Sequence, residues 1–334
     1  NYPFTTIDPN VGVVEIPDQR LQHLAEIYRP RRIVPTTMEF VDIAGLVKGA
    51  SQGEGLGNRF LGHIREVDAI VHVLRCFEDS ELVHVSGNVD PLRDMEIVQT
   101  ELGLADLETL QRRLDGLEKK AKSGDSKAIK ELALAYRIRD LLNQGKGLQD
   151  IEFSPEEGES LWEYHLLTRK PVLYVLNVDE KDIQGESPIV KKVSQKALEE
   201  GSEVIIICSK MEAELLELSP PERAEYLKQL GLQEAGLPRL IRAAYRLLHL
   251  ITYFTAAEVE ARAWTVQEGT KAPMAAGKIH SDMERGFIRA EVMSYEDLIS
   301  LGSATTVREK GLLRLEGRDY VVRDGDVIYY RFHV

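Results

Sequence analysis

The chain has 334 residues, enough for two or three domains of roughly 100–200 residues each. Apolar residues make up 43%, which excludes disorder as the default, and a net charge of −13 argues against a general nucleic-acid coat while leaving room for a local basic patch. No apolar run approaches the ~18 residues of a membrane span and no signal-peptide pattern opens the chain, so no membrane association is expected.

In chain order, short β-rich runs alternate with helical stretches. Strands are expected at Val11–Ile16, Thr37–Ile43, Ala69–Cys76, Pro171–Val178 and Glu203–Cys208, an α/β pattern that reads as a doubly wound parallel sheet. Ligands bind beyond the carboxyl ends of such strands, so the turns DIAG, NVDE and CSK should converge on one crevice. A helical segment covers about 94–150, with Leu107, Leu110, Leu114, Leu117 and Ala121 forming one apolar seam. After a turn at Ser123–Ser126, a second helix carries Leu134, Ile138 and Leu141, which makes an antiparallel pair. Its tip, 112–130, holds seven basic against three acidic residues, a net of +4. That is a solvated face or a contact for RNA phosphate or another acidic partner. A helix near Leu237–Leu250 closes the sheet domain. Beyond about residue 251, ARAWTV, GFIRAEV, GRDYVV and DVIYYRF read as the short strands of a separate α+β domain. Trp264 is expected in its core, and 220–228 on a solvated helix face. Cys76 and Cys208 lie in apolar runs, as buried thiols do, with no disulfide and a reducing compartment expected.

Three motifs carry chemistry. Asp42-Ile43-Ala44-Gly45 ends an apolar strand, as a nucleotide hydrolase needs: a carboxylate for the Mg²⁺ shell and a glycine whose N–H can approach a γ-phosphate. Gly49, Gly53, Gly55 and Gly57 follow, in a flexible surface loop or a switch segment. Asn177-Val178-Asp179-Glu180 stands where GTPases usually present N-K-x-D. In that motif the Asp accepts from guanine N1–H and the exocyclic amine. Val178 in place of Lys and Glu180 in place of Asp should relax or lose guanine preference, since adenine offers neither donor. Ser209-Lys210 falls where a purine-contacting turn belongs. Each motif is weak alone; three in order at strand ends are not.

The loop G-x-x-x-x-G-K-S/T is not found. Gly277-Lys278 runs into Ile279 and Gly145-Lys146 into Gly147. A strand, loop and helix carrying it, about 30 residues, are expected to precede Asn1.

NYPFTTIDPNVG, TTMEFVDIAGLVKGASQGEGLGNRFL, the NVDE turn and AAGKIHSDMERGFIRAEV together resemble the YchF-type Obg-like ATPases over essentially the whole chain. The resemblance implies a P-loop NTPase domain at 1–95 and 165–250 (its first strand and P-loop missing from this chain), a helical coiled-coil insertion at 96–164 and a TGS domain at 251–334. It also implies a cytoplasmic, Mg²⁺-dependent ATPase, slow without a partner, that acts on or near the ribosome in translation or stress regulation. Carried over by position, Thr6 and Asp42 would serve the metal and Gly45 the γ-phosphate. Asn177, Val178 and Glu180 would line the adenine pocket, with Ser209 and Lys210 beside them. Leu46 stands where many GTPases place a water-orienting Gln and cannot do that work. The resemblance points to His84 instead; its alternative is a structural histidine. RNA contact is expected at the basic tip and the TGS domain, where His280 is a binding or a turn residue. The competing readings are a GTPase of the same class and a nucleotide-independent RNA or ribosome adaptor.

Overall fold

The computed structural model describes residues 10–43, 56–79, 87–149 and 151–333, with side chains from Phe60 onward in the second stretch. The elements run β1 (Asn10–Glu15), α1 (Gln19–Tyr28), β2 (Arg32–Val34), β3 (Thr37–Asp42), α2 (Leu56–Glu66), β4 (Ile70–Arg75), α3 (Pro91–Lys122), α4 (Ser126–Asn143) and α5 (Pro155–Trp162). They continue with β5 (Val172–Asn177), α6 (Pro188–Glu199), β6 (Glu203–Ile207), α7 (Ser209–Glu217), α8 (Pro220–Gln229) and α9 (Gly236–Leu247). Then come β7 (Leu250–Ala256), β8 (Glu260–Gln267), α10 (Ala272–Ile279), α11 (Ser281–Arg285), β9 (Phe287–Ser294), α12 (Tyr295–Leu301), α13 (Ala304–Glu309), β10 (Arg314–Glu316) and β11 (Asp326–Phe332). Two compact units result, Asn1–Val11 with Val41–Ala244, and Gly12–Phe40 with Tyr245–Val334.

In the first unit β4, β5 and β6 form a parallel sheet in that order. Parallel strands covered on both faces read as unbroken apolar runs, and VLYVLN of β5 is one. Helices α6 and α7 supply Val190, Val193, Ala197, Met211 and Leu215 to the cluster over Leu74, Tyr174 and Leu176. Both cysteines are buried and free; burial, with the Asp182 charge adding, pushes the Cys76 thiol up to about 12. β1 and β3 pair with each other in a separate two-stranded sheet and do not join β4–β6 in the single parallel sheet expected from the sequence.

The long hairpin forms as its caps and seam dictate. Asp90 accepts from Arg93 N at 3.2 Å with Pro91 in the first turn, and three lysines occupy the last turn of α3. Gly124 turns the chain at φ 85°, and Asp125 caps α4 by accepting from Lys127 N and Ala128 N. Leu110 and Leu114 then meet Leu134, Ala135, Ile138 and Leu142 in one buried cluster, with Leu107, Leu117 and Leu141 at its margin. At the base of the hairpin Asp106, 1% exposed, accepts from Leu167 N, Thr168 N and Thr168 Oγ1 at 2.7–2.8 Å.

The second unit is a six-stranded sheet ordered β10-β9-β11-β7-β8-β2. Tyr253, Val292, Ile328 and Tyr330 build the core on one face, with Ala272, Ala275 and Ala276 of α10 against them and Trp264 at the margin. The unit includes Gly12–Phe40, which the sequence division assigned to the nucleotide domain. The reason is packing. Leu21 and Leu24 of α1 enter the cluster of Phe254, Ala261, Ala263 and Val327. Arg20 binds both Asp18 and Asp324, and β2 pairs parallel to β8. GRDYVV, expected as a strand, makes only an isolated bridge at Val321, and β7 was not anticipated.

Glu291 of β9 lies under three guanidiniums. The hydrogen bond from Arg331 and the charges of Arg331, Arg289 and Arg308 hold its carboxyl below the usual carboxylate range. A lowered carboxylate adds stability above its unfolded value and loses it as pH falls through the folded value. E291Q is therefore expected to melt below the parent at neutral pH, with the gap closing as pH drops below the ordinary carboxylate range. A gap constant across acid and neutral thermal melts would contradict this.

Candidate functional site

The carboxyl ends of β4, β5 and β6 lie on one edge of the parallel sheet. Ladder bonds continue past β5: Cys76 N donates to Asn177 O at 2.8 Å and Val178 N donates to Ile207 O at 2.9 Å. These fix the start of the NVDE turn. Asp179 accepts from Lys181 N at 3.0 Å and opens a single 3-10 turn, Glu180–Asp182, that carries Glu180 out to solvent. Across from it, β6 ends at Ile207 and α7 begins at Ser209, preceded by Cys208, which makes no side-chain cap. The first N–H groups of a helix lack intrahelical partners. Ser209 N finds one in Asn177 Oδ1 at 3.0 Å.

The structure thus brings four of the expected residues together. Asn177 bonds Ser209, and beside them Lys210 Nζ lies 2.8 Å from Glu180 Oε1. Hydrogen bonding to Glu180, and then its charge, raise the Lys210 ammonium above its ordinary value. Val178 differs from the expectation. Its side chain is 2% exposed, in the core cluster with Cys208 and Met211, so it underlies the turn and does not line a surface. Asp42 is exposed at the end of β3. Thr6, Gly45 and His84, with Leu46 and the glycines from Gly49 to Gly55, lie outside the described residues.

The sequence reading missed Tyr226 of α8. Burial raises its phenol first, and the charges of Glu214 and Glu180 add to this. Helix α8 was read as a solvated face; Tyr226 and Leu227 in fact pack into the core beneath the site. Their spacing from NVDE carries no signal, because the contact is tertiary.

The basic tip is largely paired. Arg112 meets Glu108, Lys127 meets Glu131 and Lys130 meets Glu156. Arg113 donates to Glu163 O and lies 4.4 Å over the Tyr164 ring. Lys119, Lys120 and Lys122 remain exposed on the last turn of α3, without an ion pair among the described residues. His280 is a turn residue that accepts from Asp282 N at 3.2 Å between α10 and α11. No helix is long and apolar enough to cross a membrane among the described residues.

Comparison with known proteins agrees with this layout. Residues 1–108 match a family model described as "50S ribosome-binding GTPase", and residues 250–333 match the YchF-GTPase C-terminal model, described as "Protein of unknown function (DUF933)". The chain is 52% identical over 336 residues to the ribosome-binding ATPase YchF of Bacillus subtilis, covering 100% of this chain and 92% of that protein. It is 44% identical over 337 residues to Obg-like ATPase 1 of rice, covering 100% and 85%. A solved structure titled as the YchF GTPase of Schizosaccharomyces pombe superposes with a TM-score of 0.87 at 37% identity, covering 99% of this chain and 90% of that one. With full-length identity near one half, both end domains matched and the fold reproduced, the chain belongs to the YchF family of Obg-like proteins.

Proposed function

We propose that this protein is an ATP-hydrolysing switch of the cytoplasm that acts on or near the ribosome, in translation or its regulation under stress. The ribosome and the hydrolysis come from the names of its relatives. The preference for ATP rests on one observation, the Glu180–Lys210 pair beside the Asn177–Ser209 bond. Guanine recognition needs a carboxylate free to accept from N1–H and the exocyclic amine together. Here one carboxylate oxygen is engaged by an ammonium. With that oxygen taken, the carboxylate has one oxygen left for the two guanine donors, N1–H and the exocyclic amine, whereas the adenine N6 amine asks for a single acceptor. A site whose polar groups match one base disfavours the other, because groups that the bound base shields from water are left unpaired.

In competition binding with a labelled nucleotide, ATP is expected to outcompete GTP by at least about tenfold, the worth of one unmatched hydrogen bond. Equal or stronger competition by GTP would overturn the base assignment. E180Q keeps an acceptor but breaks the ion pair, and is expected to narrow the ATP preference.

For the metal, Asp42 is the described donor. A single carboxylate joined by hydroxyl, water and phosphate oxygens is a donor set of the kind that holds Mg²⁺. Asp42 and Thr6 would hold it, and when bound it supplies the charge that offsets developing negative charge on the transferring phosphoryl group. Gly45 would present its N–H to the γ-phosphate. His84 would orient the attacking water in place of the absent glutamine, as a neutral imidazole can.

A further inference from the structure

The ammonium of Lys210 has two carboxylates within reach. Lys210 and Glu214 stand four residues apart on α7, so they share one face of that helix. Lysine and glutamate in the same order and spacing pair elsewhere in the chain, Lys127 with Glu131 at 3.6 Å and Lys196 with Glu200 at 3.3 Å. Lys210 instead crosses to Glu180, in the turn after β5, at 2.8 Å. The two side chains are 73% and 49% exposed, and exposed ion pairs are weakly held. A second carboxylate on the lysine's own helix can divide such a pair, so the contact with Glu180 depends on what occupies Glu214.

Tyr226 of α8 occupies it. Helix α8 is pinned to the end of α7, where Arg223 Nε donates to Leu215 O at 2.9 Å and Nη2 to Leu218 O at 3.4 Å. Leu227 is buried in the core cluster and Tyr226 packs against the same cluster, so the ring has a fixed seat. Its hydroxyl donates to the Glu214 carboxylate. A carboxylate that accepts a phenol O–H is satisfied where it stands and pulls less on a nearby ammonium. Burial, and then the Glu214 and Glu180 charges, raise the phenol above its ordinary value, so it keeps the proton it donates.

We propose that Tyr226 is a positioning residue for base selection: by holding Glu214 it leaves Lys210 to Glu180, and Lys210 in turn takes the carboxylate oxygen that guanine requires. This role rests on the base assignment given above and adds the two residues, Tyr226 and Glu214, that enforce it through Lys210. Without the hydroxyl, Glu214 draws Lys210 back along its own helix, as Glu131 and Glu200 hold their lysines. Glu180 then has both oxygens open to N1–H and the exocyclic amine. Selection fails by a gain of GTP, not by a loss of ATP. A tyrosine that only packed would give no such gain.

The test is competition binding of ATP and GTP to the purified protein and its variants. Tyr226→Phe keeps the ring and its packing, and is expected to strengthen GTP binding about threefold or more with ATP little changed. Adding Glu214→Gln to that variant removes the competing charge and is expected to restore the parental ratio. Thermal melts check that each variant is folded. A Tyr226→Phe variant with the parental ratio, or a double variant as permissive as the single one, would overturn the proposal. A readout without nucleotide separates this role from the base assignment: NMR of ¹³C-dimethylated lysines, with the Lys210 signal assigned through Lys210→Arg. Glu180→Gln is expected to shift that signal in the parent, and Glu214→Gln to shift it in Tyr226→Phe. A parent that prefers GTP while these shifts are present strikes the base assignment alone. A parent that prefers ATP without them overturns the role of Tyr226.

Discussion

Asn177→Ala is expected to weaken binding of ATP and GTP alike by about ten- to a hundredfold, the worth of one or two hydrogen bonds in a partly desolvated site. The side chain has two tasks. Its Oδ1 accepts from Ser209 N and so ties the turn after β5 to the first turn of α7. Its amide nitrogen remains to donate to a purine ring nitrogen. Alanine removes both, and it releases Lys210 from its fixed place beside Glu180. Asn177→Asp separates the tasks: the acceptor for Ser209 N–H survives and the donor does not. Calorimetric titration is expected to show loss for both variants, with the melting temperature lowered only for alanine. Parental affinity in the alanine variant would remove the base site from this edge of the sheet.

The second large effect is on folding. Asp106→Ala is expected to lower the unfolding free energy by about 2–4 kcal/mol, because three donors at the base of the hairpin lose their acceptor in a dry environment. Asp106→Asn keeps one oxygen of similar shape and should fall between the two. Urea midpoints compared at equal slope measure this directly. An alanine variant with the parental midpoint would mean that water replaces the carboxylate, and the bond set would then carry no net stability.

Much of the first unit was legible because its signals are local. The β5 run, the 3-4 spacing of Leu107–Leu117 and the turn at Gly124 are short-range patterns, and the structure places strand, seam and turn accordingly. The end of α9 shows what such patterns miss. His249 takes φ 50° and turns the chain directly into β7, with neither glycine nor proline to mark the break, so the helix was expected to run to Leu250 and no strand was assigned to ITYF after it. β2 spans three residues, too few for a pattern, and its partner β8 lies more than two hundred residues along the chain. Without that pairing nothing attached Gly12–Phe40 to the second unit. At the site, residue types and strand ends were readable from NVDE and CSK. The direction of Val178 was not: a residue just past a strand follows the ladder, and its bond to Ile207 O turns the side chain inward.

Helix α3 is one unbroken rod of 32 residues, ~48 Å at the standard rise. Met95 near its root sits in the cluster that also holds Val178 beneath the base turn, and its far end carries the unpaired lysines. A stiff arm seated this way works as a lever. A tilt of about 10° at the root sweeps the distal end through ~8 Å over that length. A sub-ångström repacking under the nucleotide therefore has a mechanical route to becoming a displacement large enough for another macromolecule to feel.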